Sequence, residues 1–240
     1  MISEVFNCDC IEYMRSLPDN HFTLAVADPP YSGGGRNNDE PQDIRNTRGR
    51  FSKYAPTIKA GRTGGTWASK YGKGIIDWDV APPQEFFDEL MRVSQHCIIW
   101  GGNYFSLPPT RCFLIWKKLT ISESFTMAMA EYAWTNFDGN AKLVELPPQG
   151  KAGDPRFHPT AKPIALYSWI FRLFAKEGDT IFDPMMGSGS SRIAANHAGL
   201  DFWGCEINKD YFDKANERYE RECEGIQRIG EHTFIQPTLF

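Results

Sequence analysis

The sequence contains no apolar run near the ~18 residues that a membrane span requires. Its opening, Met1-Ile2-Ser3-Glu4, lacks the basic-then-apolar pattern of a secretory signal, so a cytoplasmic protein is expected. Six cysteines (Cys8, Cys10, Cys97, Cys112, Cys205, Cys223) form no CxxC pair, which argues against structural zinc and against a disulfide framework. Five histidines are scattered without an HExxH spacing, and no metal is expected. An overall excess of positive charge is also missing. The net charge of −4 is that of no uniformly basic nucleic-acid binder.

Local charge tells a different story. Segment 32–75 holds nine lysines and arginines against three acidic residues, interleaved with Phe51, Tyr54, Trp67, Tyr71 and nine glycines. Cations mixed with aromatic rings suit phosphate contact and base stacking, and Arg36, Arg45, Arg48, Arg50, Lys53, Arg62, Lys70 and Lys73 are the candidate contacts. A solvated surface loop would have the same composition.

With 240 residues and 41% hydrophobic content, the chain can bury one sizeable core. It is read as a single domain over 1–240, with 32–75 an insertion and 223–240 a tail of weak periodicity that extends away from the core. β-favouring apolar runs bounded by turn residues alternate with segments of helical period, the pattern of a mostly parallel sheet covered on both faces. Strands are expected at 4–7, 22–27, 97–100, 112–116, 131–134, 180–183 and 202–206, and helices at 11–17, 82–93, 164–175, 191–198 and 211–221. Residues 146–159 read as a Pro/Gly-rich linker.

Two strand ends carry chemistry. Asp183-Pro184-Met185-Met186-Gly187-Ser188-Gly189-Ser190 is a strand-to-helix turn whose glycines let the backbone approach a ligand. Such a turn also serves dinucleotides, flavins and phosphates, or no ligand at all, but a P-loop's Lys-Ser/Thr is absent. Glu206 ends the next strand, where an acid can accept both hydroxyl hydrogens of a ribose; together they point to a nucleoside-containing cofactor. The second strand end is Asp28-Pro29-Pro30-Tyr31. Its prolines fix φ and remove amide donors, the Asp28 carboxylate and Pro29 carbonyl can face one amino group, and Tyr31 offers a ring to a planar base. A conjugated exocyclic amine is a poor nucleophile until acceptors hold its two hydrogens, and a fixed carboxylate stabilises the positive charge that develops on its nitrogen.

These motifs resemble the amino-methylating DNA methyltransferases of the permuted β group, over nearly the whole length. Asp28–Tyr31 matches the family's DPPY, Asp183–Ser190 its cofactor loop, and His158-Pro159-Thr160-Ala161-Lys162-Pro163 its HPT-x-KP element; Gly204-x-Glu206 with Tyr211 matches its ribose-binding strand end. Cys8-Asp9-Cys10 with Leu17-Pro18-Asp19 is similar to its GDC…LPD start, departing from it at Cys8, while Ala161 and Met185 depart from the commoner Gln and Phe. The resemblance implies an α/β, Rossmann-like S-adenosylmethionine-dependent fold with a circularly permuted, seven-stranded, mostly parallel sheet. It implies Asp28, Pro29, Pro30 and Tyr31 as catalytic residues. Around S-adenosylmethionine it implies Asp9, Cys10, Asp28, Pro29, His158, Thr160, Lys162, Phe182, Asp183, Pro184, Met185, Gly187, Ser188, Gly189, Ser190, Glu206 and Ile207.

The expected activity is methylation of adenine N6 in double-stranded DNA, on a base extruded from the duplex. Cytosine N4 is the alternative acceptor, followed by RNA or protein amides and by a catalytically silent DNA-binding protein. A bacterial or phage-infected cell is the implied setting, with or without a restriction partner, for a monomer or homodimer. The terminal Gln236-Pro237-Thr238-Leu239-Phe240 resembles the short peptide by which bacterial replication proteins dock on the sliding clamp, through Gln236, Leu239 and Phe240.

Overall fold

The computed structural model describes residues 1–30, 81–122, 128–148, 157–158, 160–229 and 232–235. Tyr31, the basic segment 32–75 and the clamp-like peptide 236–240 lie outside the described residues.

The apolar run Phe22-Thr-Leu-Ala-Val-Ala27 forms β2 (Phe22–Ala27), and both its faces are buried, as a parallel strand between helical layers requires. Alternation divides its side chains. Leu24 and Val26 join Leu166, Tyr167, Ile170 and Phe171 of α3 (Ile164–Phe174) on one face. Ala25 and Ala27 join Met14 of α1 (Cys10–Arg15) and Phe86, Phe87, Leu90 and Val93 of α2 (Gln84–Val93) on the other, and Phe22, at the start of the strand and out of step with the alternation, packs in that same cluster. The neighbouring β3 (Ser94–Trp100) splits likewise, Ile98 and Trp100 against Cys97 and Ile99. The result is an α/β/α sandwich.

The remaining strands are β1 (Ser3–Phe6), β4 (Phe113–Lys118), β5 (Ala130–Thr135), β6 (Lys142–Leu146), β7 (Thr180–Asp183) and β8 (Asp201–Cys205). They form an eight-stranded sheet in the order β1-β8-β7-β2-β3-β5-β4-β6. Within it, β5 alone runs against its neighbours β3 and β4; every other pairing is parallel. The sheet thus exceeds the expected seven strands by β6. That strand is mostly exposed, without the apolar run that marks a buried one, and it holds the edge by pairing with β4. In the carboxyl-terminal residues β9 (Ile226–Ile229) and β10 (His232–Ile235) pair as an antiparallel hairpin separate from this sheet. Ahead of it, α4 (Ser190–His197) and α5 (Lys209–Tyr219) fall where helices are expected.

Two local devices set where β2 begins. Asp9 caps α1, its carboxylate accepting from the Ile11 and Glu12 amides at 2.7 and 3.2 Å. Arg92 of α2 then donates to the Met14 and Leu17 carbonyls at the end of α1 (2.8 and 2.9 Å) and to Asp19 at 2.8 Å, fixing the Leu17-Pro18-Asp19 turn. From that turn β2 starts at Phe22, whose ring stacks on Phe182 of β7 with centroids 4.5 Å apart. Phe22 is fully buried. Phe22→Ala is expected to lower the unfolding free energy by about 3–5 kcal/mol, read as a lower urea midpoint at unchanged slope.

Candidate active site

The parallel strands β1, β2, β7 and β8 end on one side of the sheet, where open α/β folds place their ligands. A cavity of about 430 Å³ opens there. Its wall is built from Cys8–Ile11 after β1, Asp28–Pro30 after β2, Pro184, Met185 and Gly187 after β7, and Glu206–Asn208 after β8. Ala81–Pro83, His158 and Thr160 complete the wall.

Gly187 has φ +49°, and a Cβ there would meet the His158 ring at 3.1 Å, so the position is reserved for glycine twice over. Its amide donates to Glu206 Oε2 at 2.9 Å, while Glu206 Oε1 accepts from the Asn208 amide at 2.8 Å. Burial raises the Glu206 carboxyl, and these two amides oppose the rise. One acid therefore ties the glycine turn to the start of α5 and still has a second lone pair on each oxygen for a ligand. Beside it Ile207 is exposed on the wall, an apolar surface with no core to join. The turn is also braced from behind. Arg218 of α5 donates to the Ser188 carbonyl and to Ser190 Oγ, both at 2.9 Å.

On the β2 side, Asp28 pairs with Lys162, which precedes α3, and Lys162 Nζ lies 3.2 Å from Glu131 Oε2 of β5. Glu131 Oε1 pairs in turn with Lys118 of β4 at 2.5 Å. All four side chains are largely buried, the most exposed being Glu131 at 17%. Burial raises the Asp28 carboxyl above the usual carboxylate range, Lys162 opposes the rise and Glu131 adds to it. Burial acts against the Glu131 charge as well, but the two lysine ammoniums outweigh it and hold that carboxyl down at about 2.

Among the residues expected from sequence, Asp9, Cys10, Asp28, Pro29, Pro30, His158, Thr160, Pro184, Met185, Gly187, Glu206 and Ile207 come together on the wall. Phe182, Asp183, Ser188, Gly189 and Ser190 lie outside the cavity lining: Phe182 is in the core, and Asp183 accepts from Ser191 Oγ and the Met185 amide. Lys162 is likewise off the cavity lining and faces Asp28. No local motif marks Lys118 and Glu131 as part of the site. Pro82 and Pro83 signal a helix opening in the sequence, and the fold also makes them part of the cavity wall. Among the described residues no cluster could hold a metal ion, and no helix is long and apolar enough to cross a membrane.

The fold is that of the S-adenosylmethionine-dependent methyltransferases. TTHA0409 of Thermus thermophilus, solved with S-adenosyl-L-methionine, matches 93% of this chain and 97% of its own at a TM-score of 0.53 and 17% identity. The cytosine-N4-specific PvuII DNA methyltransferase matches 90% of this chain and 86% of its own at a TM-score of 0.56 and 12% identity. At such identities the likeness is one of fold. In sequence, residues 99–217 match the DNA methylase family. Type II methyltransferase M2.MboI of Moraxella bovis is 24% identical across 90% of this chain and 86% of its own length. M.HpaI of Haemophilus parainfluenzae is 39% identical over 74 residues, which make up 31% of this chain and 24% of that protein. In sequence the chain is thus similar to type II DNA methyltransferases.

Asp183 provides a test of the site's electrostatics. Its burial, with Asp28 and Glu206 adding to it, outweighs the bonds from Ser191 and Met185 and pushes the carboxyl up to about 7. The unfolded chain releases that proton near pH ~4, whereas the folded protein keeps it. Stability contributed by this group therefore falls as pH rises from ~4 to about 7 and is level above that. Urea unfolding of wild type and Asp183→Asn should diverge across this window, the wild type losing ground as pH rises. A pH-independent difference would refute the raised carboxyl.

Proposed function

We propose that this chain transfers the sulfonium methyl group of S-adenosylmethionine to the N6 amino group of adenine in double-stranded DNA. The observation that carries the reading is the placement of Asp28, a buried carboxylate followed by two prolines, on the same cavity wall as Gly187 and Glu206. A volume of about 430 Å³ is within the range of cofactor-sized sites. The donor set suits S-adenosylmethionine: Glu206 would accept from the ribose hydroxyls, and Ile207, Asp9 and Cys10 would hold the adenine ring. His158 and Thr160 are assigned to the methionine end.

When bound, S-adenosylmethionine supplies an electrophilic methyl group. The protein's part is to make an unreactive amine attack it. Asp28 and the Pro29 carbonyl accept the two amino hydrogens, which localises the nitrogen lone pair, and Tyr31 stacks on the base. The carboxylate faces a nitrogen that becomes positive as the N–C bond forms and the S–C bond breaks, so its attraction is greater in the transition state than in the ground state. It then takes the proton that the methylated nitrogen sheds and passes it to water. A base inside a duplex cannot reach Asp28, and we assign extrusion and backbone contact to the basic segment 32–75. The Asp-Pro-Pro-Tyr sequence favours adenine over cytosine, whose N4 amine would use the same acceptors.

Unmethylated DNA incubated with the protein and labelled S-adenosylmethionine should yield N6-methyladenine on nucleoside separation by mass spectrometry. Asp28→Ala should reduce the rate by at least about a hundredfold. N4-methylcytosine would keep the mechanism and change the base, whereas cofactor binding without any DNA product would redirect the assignment to RNA or protein amides. Gly187→Ala, forced into a left-handed conformation against His158, should weaken S-adenosylmethionine binding about tenfold or more by calorimetry.

A further inference from the structure

Asp28 belongs to a chain of alternating charges that runs away from the cavity: Asp28 on the β2 end, Lys162 before α3, Glu131 on β5 and Lys118 on β4. Each ammonium lies over an indole, Lys162 at 5.4 Å from the Trp100 ring and Lys118 at 5.2 Å from that of Trp116. The two rings meet edge to face at 6.2 Å, making an apolar floor beneath the charges. Burying four charges on such a floor is a weak way to gain stability, since well-packed apolar residues of the same volume would serve as well or better. The arrangement calls for another explanation.

We infer that Glu131 and Lys118 are positioning residues which, by holding the Lys162 ammonium from the side opposite Asp28, fix the charge and placement of the Asp28 carboxylate. Lys162 meets two carboxylates at once, so its attraction is divided between them. Without Glu131 it would bind Asp28 undivided and draw electron density from the acceptor that must hold the amino hydrogens. Without Lys118, Glu131 would compete harder for Lys162 and loosen its hold on Asp28. Glu131 and Lys118 thus act on Asp28 in opposite directions, the nearer Glu131 more strongly than Lys118. Tyr167 of α3 and Asp183 of β7 also face this carboxylate. They are unchanged by the substitutions below.

That Asp28 serves methyl transfer rests on the function proposed above; its coupling to Glu131 and Lys118 does not. The test therefore has two readouts. In the full-length protein with ¹³C-labelled aspartate, the Asp28 carboxyl resonance, assigned by its loss in Asp28→Asn, is titrated in wild type, Glu131→Gln and Lys118→Met. Glu131→Gln should lower its midpoint by about one pH unit and Lys118→Met should raise it by a smaller amount, while the double variant should fall between the two single variants. In single-turnover methylation of DNA, which requires ionised Asp28, the acid limb should move the same way in each variant.

Because the two single changes have opposite signs, either alone carries the test if the other does not fold. An unmoved carboxyl midpoint, or two shifts of the same sign, overturns the coupling. Shifted midpoints with an unshifted acid limb overturn its role in transfer. Shifted midpoints in a protein whose wild type methylates no DNA would uphold the coupling and remove the function proposed for the site.

Discussion

The pairing of β2 with β7 is the contact on which the site depends. Leu24 and Ala25 align with Ile181 and Phe182, and the Thr23 and Thr180 hydroxyls exchange bonds with the opposite backbones at 2.7–2.9 Å. Because the strands are parallel and in register, the Asp-Pro-Pro end of one and the glycine turn of the other emerge side by side. No loop has to reach across the molecule. The glycine turn on the β7 side and Asp28 on the β2 side are thereby brought onto one cavity wall.

Around that contact the two halves of the cavity are stiffened differently. The β7–β8 half is held by neutral and singly charged bonds: Glu206 to two amides, Arg218 to the Ser188 carbonyl and Ser190 hydroxyl. Such bonds fix backbone shape, which suits a surface that binds. The β2 half is held by full charges in low dielectric, where small displacements change energies steeply. It suits a surface that must respond to charge appearing on a substrate.

Much of this was legible in the sequence because the informative residues are local. The unbroken apolar run of β2 ends on Asp28-Pro29-Pro30, and the glycine turn sits between a strand and a helix whose periods are plain, so both ends of the cavity could be placed. What stayed hidden is what sheet pairing creates. Glu131 aligns with Trp116, Lys118 lies two residues further along β4, and Lys162 arrives from another part of the chain, so the charge network exists only once β4 and β5 pair. Lys162 shows the limit of a motif: expected beside a cofactor, it faces Asp28. Exposed β6 escaped notice because no buried face imposes a pattern on it.

The wiring of the sheet carries a cost in time. Among the described residues β1 pairs with β8 alone, and Thr23 of β2 meets Thr180 across 157 positions of sequence. As the polypeptide leaves the ribosome, β1 and β2 are made well before β7 and β8. Until then β1 has no ladder and the β7 side of β2 stands open, offering unpaired amides and carbonyls to any other chain. Loop closure over such distances is slow, and the intermediates that wait for it are prone to aggregate. The late pairing of β7 and β8 thus sets how long β1 and the β7 side of β2 stay exposed on the nascent chain.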